Sequence, residues 1–314
     1  MCFRKNKKPK EEKTKERVRK EKKAKEKTRR EKKPKEKVRK EKKRTVKENV
    51  VYPPMERDIA TVEMTTMQIN MPAGLTVSMG SDLGTRDYQQ DSMAYSTVRN
   101  QFAAVVCDGM GGLKGSEQAS GTAVALWKAR YEAGFSSFVN FAEETICAMD
   151  RAIAEKEQAG GTTVAAIWIH DGGLQWMSVG DSKVYLIRRE KLYPLTREHN
   201  YQLVLNGRLQ RGEISPERYE KEMQKGGSLV SYLGCGQFPF TDIRREPEKL
   251  LPGDIVLVCS DGLYKSIPEQ QLGRMISTYL GDFDTLAPYL LNYAAMHNRV
   301  RDNTTLVAVR YEGP

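Results

Sequence analysis

Four aspartates share one local setting: Asp108, Asp181, Asp261 and Asp302 each stand where an apolar run meets a turn former, in VVCDG, VGDS, LVCSDG and RDNTT. A lone carboxylate of this kind is either an acidic turn residue or an oxygen ligand for a hard cation. Glycines at 109, 111, 112 and 262 leave the backbone bare, so that an ion or ligand can approach it closely. Carboxylates gathered without His or Cys select Mg2+ or Mn2+. Two such ions roughly 3.5–4 Å apart can activate a water and aim it at phosphorus. Arg86 would then offer a bidentate fork for phosphate oxygens, and Asp91 follows five residues later.

The elements that must position these residues follow from periodicity. Residues 102–106 form a short apolar run bounded by turn signals, which predicts a buried strand delivering Asp108. Strands are also predicted over 74–80, from Asp91 to Val98, and then at 162–169, 174–180, 183–189 and 191–195, with Gly172-Gly173 as a hairpin signal. Helical spacing appears at 116–132 and 138–157, and again at 268–280 and 285–298. A further buried strand, 254–260, runs into Asp261-Gly262 in the layout of Asp108-Gly109, and Asp302 starts the last strand. Residues 199–230 are polar and glycine-bearing, which predicts a partly helical excursion over the body. Strands, a helix pair, strands, a second helix pair and a last strand predict an α+β fold with helices outside antiparallel sheets, not a βαβ repeat.

Charge divides the chain. Of its 52 lysines and arginines, 26 fall within residues 1–50 against nine glutamates, a net of +17, so the +11 of the whole leaves −6 for the remainder. Residues 14–43 hold three ten-residue repeats, TKERVRKEKK, AKEKTRREKK and PKEKVRKEKK. They have almost nothing apolar to bury and cannot pack as a domain. Such an arm is either a solvated tail, partly helical through its Glu-to-Lys/Arg pairs, or a contact for an anionic membrane surface, nucleic acid or acidic partner. No aromatic residue follows Phe3 within the repeats, which argues against stacking on bases. The expected organisation is a basic tail over 1–47, a linker over 48–73 and a globular domain over 74–312. Five cysteines without CxxC spacing exclude a disulfide framework or zinc cluster and favour a reducing compartment. With no apolar h-region and no membrane-length apolar run, a cytoplasmic location is expected, peripheral to a membrane if the arm binds one.

The motifs GTRDYQQD, VVCDGMGG, GGTTVAAIWI, VGDSKVYLIR, LTREHN, LVCSDGL and RDNTTLVAV occur in this order. Together they resemble the metal-dependent serine/threonine protein phosphatases of type 2C in their compact bacterial form, over about residues 74–311. The resemblance implies a sandwich of two antiparallel β-sheets flanked by pairs of helices. It implies hydrolysis of phosphoserine and phosphothreonine in proteins by a metal-bridging hydroxide, with no phosphoenzyme. By resemblance Asp108 bridges two Mg2+ or Mn2+ ions and the Gly109 carbonyl binds one of them. Asp261 and Asp302 bind the other, and Asp181 joins a third, weaker site. Arg86 grips phosphate, Asp91 orients metal-bound water, and residues 199–230 correspond to the flap. The implied partners are phosphoprotein substrates and a serine/threonine kinase acting on the same targets, and the chain is expected to be a monomer.

The pattern departs from the family at two places, and a third position, Met110, matches the bacterial members but not some eukaryotic ones. Gln89-Gln90-Asp91 replaces Asn-Glu-Asp, so Gln90 is neutral where a glutamate helps hold a metal through water. Glu198 replaces an aspartate, and Met110 stands where some eukaryotic members carry a histidine. The loss of charge at Gln90 predicts weaker metal affinity; it is also the one feature that favours a pseudophosphatase, a phosphopeptide-binding or scaffolding domain. His199 is expected to be structural rather than a general acid.

Overall fold

A computed structural model describes residues 71–110, 115–156 and 160–314; the repeat arm and all but the last residues of the linker lie outside them. The chain forms β1 (Leu75–Asp82), β2 (Asp91–Val98), β3 (Gln101–Met110), α1 (Ser116–Ala133), α2 (Phe138–Ala154), β4 (Gly161–Thr162), β5 (Val164–His170), β6 (Gly173–Val179), β7 (Lys183–Arg188) and β8 (Lys191–Pro194). After these come α3 (Tyr201–Gln210), α4 (Pro216–Glu222), β9 (Asp242–Ile243), β10 (Glu248–Lys249), β11 (Ile255–Cys259), α5 (Asp261–Ser266), α6 (Glu269–Ser277), α7 (Leu286–His297) and β12 (Thr304–Tyr311). One sheet runs β1-β12-β11-β7-β8; the other runs β10-β6-β5-β3-β2, with β4 on β3 and β9 on β6. Every pairing is antiparallel. The expected α+β sandwich is therefore the fold observed.

The central strands are apolar without alternation because both of their faces are covered. In β3, Phe102, Ala104 and Val106 point into the space between the sheets, where they meet Ile167, Val184, Val256, Val258, Val307 and Val309. Ala103, Val105 and Cys107 point the other way, under Trp127 of α1 and Phe141 and Met149 of α2. Strand β11 does the same in the other sheet: Leu257 and Cys259 join Leu263, Met275 and Leu290 beneath α5, α6 and α7. Successive side chains leave opposite faces of a strand, so a strand with helices on one side and a sheet on the other must be apolar at every position.

Register aligns the strand ends that matter. Asp82 lies opposite Thr304, Cys259 lies opposite both Leu306 and Lys183, and Asp91 lies opposite Asp108. The loops carrying the aspartates thus leave one end of each sheet.

The two Asp-Gly steps are not alike, contrary to the layout expected. Strand β3 continues past Asp108 because Gly109 and Met110 pair with Thr162 and Gly161 of β4. Asp261 instead opens helix α5. What the glycines share is crowding. A Cβ on Gly109 would lie 2.3 Å from the Ser116 carbonyl oxygen and 2.7 Å from that of Gln90. One on Gly262 would lie 2.1 Å from the carbonyl oxygen of Asn303. In both places the backbone pressed against glycine adjoins another aspartate, Asp91 in one case and Asp302 in the other. Gly262→Ala should therefore force α5 away from the start of β12 and lower the urea unfolding free energy by about 2–3 kcal/mol. Gly121→Ala in α1, where a Cβ meets nothing within 4 Å, should raise it by about 0.5–1 kcal/mol.

Candidate metal centre

The five predicted aspartates come from five different segments at this shared end, and Gly109 follows Asp108 in β3. Asp91 opens β2 and Asp108 lies in β3; as a directly opposed antiparallel pair their Cβ atoms are about 4.5–5.5 Å apart, an arrangement unfavourable for like charges. Asp181 occupies the link between β6 and β7, Asp261 starts α5, and Asp302 precedes β12. Arg86 lies in the loop between β1 and β2, and its Nη2 donates to Asp302 Oδ2 at 2.6 Å. Lys265 Nζ donates to Asp261 Oδ2 one helical turn away.

Electrostatics shows that these carboxylates share one field. Burial pushes Asp91 up to about 7, helped by the charges of Asp261 and Asp302 and opposed by hydrogen bonds from Ser260 and Thr305. Asp108 is held well above the usual carboxylate range, first by burial and then by Asp91, Asp261, Asp181 and Asp302. Asp181 rises to about 6 through burial and Asp261, with Lys265 pulling it back and Glu198 adding to the rise.

A polar frame that the sequence did not single out fixes the acids. Ser260 Oγ donates to Asp91 Oδ2 at 2.7 Å and accepts from the Thr305 amide at 2.9 Å, tying β2 to the other sheet. Asn303 Oδ1 accepts from the Gln90 amide at 2.9 Å and its Nδ2 donates to the Leu83 carbonyl at 2.8 Å, so it clasps the Arg86 loop at both ends. Thr163 Oγ1 accepts from the Asp108 amide at 3.0 Å and bonds Ser182 Oγ at 2.6 Å, linking β3 to the Asp181 turn. Gln89 Oε1 accepts from the Asp91 amide. The only available signal for Ser260 and Asn303 was their adjacency to Asp261 and Asp302.

His199 is wholly buried, and its Nδ1 accepts from the Gly180 amide at 3.1 Å. It props the Asp181 turn, which is a structural role. Glu198 is held by Lys183 Nζ at 2.7 Å and by Asn200 Nδ2 at 2.9 Å. The 199–230 excursion contains α3 and α4 and is closed at its base. There Tyr201 donates to the Ser228 carbonyl, and Val230 to that of His199.

The donor set fits a hard divalent cation. Five carboxylates gather at this end; among the described residues the cations bonded to them are Arg86 and Lys265, and Asp91 Oδ1 and Asp261 Oδ1 are buried acceptors with no hydrogen-bond partner. Among the described residues no three of these side chains close on a single point; Asp261 and Asp302 are turned to their cationic partners instead. Oxygen donors alone, with no histidine or thiolate among them, suit Mg2+ or Mn2+.

The fold and this acidic centre define a class, and comparison with known proteins agrees. The sequence profile described as Protein phosphatase 2C matches residues 81–306. The chain belongs to the protein phosphatase 2C family and is therefore a protein phosphatase. It is 30% identical over 190 residues to the serine/threonine phosphatase stp of Listeria monocytogenes, an alignment covering 57% of this chain and 73% of that one. The fold matches that of the Streptococcus agalactiae serine/threonine phosphatase with a TM-score of 0.66 at 22% identity, over 76% of this chain and 100% of the other. It matches the catalytic domain of the phosphatase PstP, solved with two manganese ions, with a TM-score of 0.58 at 24% identity, over 76% and 99% of the two chains.

The raised pKa values set the pH dependence of the metal-free chain. Unfolded aspartate titrates near about 3.9. Between there and about 6–7 the folded state therefore holds more protons at Asp181 and Asp91 than the unfolded state does. Their contribution to stability is greatest below the unfolded value and is lost as pH rises through that window. With EDTA present, Asp91→Asn should raise the pH 7.5 unfolding free energy by about 1 kcal/mol or more and flatten its decline from pH 5. A steeper decline in the variant would contradict the assignment.

Proposed function

We propose that the chain hydrolyses phosphoserine and phosphothreonine in proteins, using two divalent ions, Mg2+ or Mn2+, with a third at a weaker site. The observation that carries the reading is the convergence of five aspartates with two unpartnered buried oxygens beside one exposed guanidinium. Asp108 would hold both principal ions, the Gly109 carbonyl one of them, Asp261 and Asp302 the other, and Asp181 the third. That the PstP catalytic domain, of the same fold, is solved with two manganese ions supports the two-ion part of this reading. When bound, the ions supply a nucleophilic water at neutral pH and Lewis acidity at the phosphoryl oxygens.

The chain's own residues do the rest. Asp91 can accept a proton from the nucleophilic water, because it stands opposite Asp108, one of its oxygens has no donor and the other is held by Ser260. Arg86 is more than half exposed and can turn its guanidinium from Asp302 to two phosphate oxygens. Asn303 holds the loop that aims Arg86. Gln90 brings no charge, so the set binds its ions less tightly than one with a glutamate there.

In this reading residues 74–312 are the catalytic domain, acting in the cytoplasm on targets of a serine/threonine kinase. Residues 1–47 are an arm joined by the 48–73 linker and drawn to an anionic membrane or nucleic acid. Binding to anionic liposomes should be stronger for the whole chain than for one starting at residue 51; equal binding would remove the arm's proposed role.

The whole chain should release phosphate from a phosphothreonine peptide in a Mn2+-dependent manner. Asp108→Asn and Asp261→Asn should each lower kcat/KM by about 100-fold or more, and Arg86→Ala should raise KM by about tenfold. Full activity in either aspartate variant would overturn the mechanism. Phosphopeptide binding without turnover would favour the scaffolding alternative.

A further inference from the structure

Among the described residues, Lys265 is the one ammonium bonded to the acidic centre. It lies one turn after Asp261 on α5, the favourable order for an i, i+4 pair, and its Nζ donates to Asp261 Oδ2. Asp261 Oδ1 is buried without a partner. The two side chains differ in freedom: that of Asp261 is 13% exposed, whereas that of Lys265 is 60% exposed at the end of a long stem. Its ammonium can leave for solvent; the carboxylate cannot.

The charge reaches beyond its bonded partner. Partial burial lowers the Lys265 pKa, but Asp261, Asp181 and Asp108 outweigh it and hold the group above its ordinary value. Among the described residues, Asp302 has Arg86 and Asp261 has Lys265, while no cation is bonded to Asp91, Asp108 or Asp181. A divalent ion that takes Asp261 through both oxygens, or through Oδ2, must first move this ammonium aside.

We propose that Lys265 is a built-in competitor for the divalent ion at Asp261, holding that carboxylate in the metal-free protein and lowering the centre's metal affinity. This rests on the divalent-ion reading given above, but it concerns affinity and is read without turnover. The ammonium is a strongly hydrated point charge on a rotatable stem, so it can yield to metal without disturbing the helix. Together with the neutral Gln90, it leaves a centre that fills only at higher free metal.

Isothermal titration of the whole chain with Mn2+, in the absence of substrate, tests the proposal. Lys265→Met should bind Mn2+ roughly fivefold more tightly, while Lys265→Arg, which keeps the charge, should stay close to the unaltered chain. In an Asp261→Asn background the Lys265→Met gain should shrink, because the carboxylate that Lys265 holds directly is gone and only its longer-range effect on Asp181 and Asp108 remains. Circular dichroism melts with EDTA identify any variant that is not folded; Lys265→Gln is the replacement for Lys265→Met in that case. Unchanged or weaker Mn2+ binding in a folded charge-removing variant would overturn the proposal, as would an equal gain in the Asp261→Asn background. If neither the unaltered chain nor any variant binds Mn2+ at millimolar concentration, the metal-dependent function fails with it. Binding by the unaltered chain without a gain in the variant removes this inference alone.

Discussion

The structure depends on holding five like charges where they repel. Asp91, Asp108, Asp181, Asp261 and Asp302 would separate if their backbones were free to move, and three of them are drawn toward neutrality by burial and by each other. What prevents separation is the stiffness behind them. Strands β3, β11 and β12 are buried on both faces, and their apolar side chains fill three contiguous clusters. Close-packed interiors of this kind transmit strain instead of relaxing it. The sandwich therefore acts as a clamp, and the acidic end is where the clamp closes.

The closure is made by backbone as much as by side chain. Gly109 and Gly262 admit the carbonyls of Gln90 and Asn303 at distances that no Cβ tolerates. Ser260, Asn303 and Thr163 then bridge segments distant in sequence, Ser260 to Asp91 across 169 positions and Asn303 to Gln90 across 213. These bonds leave one oxygen each of Asp91 and Asp261 unmatched. A buried acceptor without a donor is costly, and a divalent cation there would relieve the mismatch and the repulsion together. The polar frame aims the carboxylates without neutralising them.

Much of this was legible in the sequence because it rests on local signals. Uniform apolar runs at 102–106 and 255–259 marked strands covered on both sides, and the turn formers after them marked the loops that carry Asp108 and Asp261. The order of elements gave antiparallel sheets with outer helices. What remained hidden is what depends on contacts across the chain. Nothing local says that β3 passes Asp108 to pair with β4, or that Asp261 begins a helix, since both follow from the partner segment. Ser260 and Asn303 look like ordinary turn residues until the sheets meet. Lys265 is one lysine among many, and only the helical turn of α5 sets it on Asp261. The basic repeats were legible as composition, but their contacts lie outside the described residues.

The cations at this centre lead to the last step. Arg86 and Lys265 perform the same electrostatic task in the metal-free chain, each covering one acid, yet their chemistry differs. Arg86 presents a planar fork that matches two phosphate oxygens, so when it leaves Asp302 it has a second anion to hold. Lys265 presents a hydrated point charge, and when it leaves Asp261 it has bulk water as its alternative. On the proposed reading, metal filling would free one group for substrate and return the other to solvent. In the proposed centre, a neutral Gln90 and a resident Lys265 would tie activity to the supply of free divalent ion.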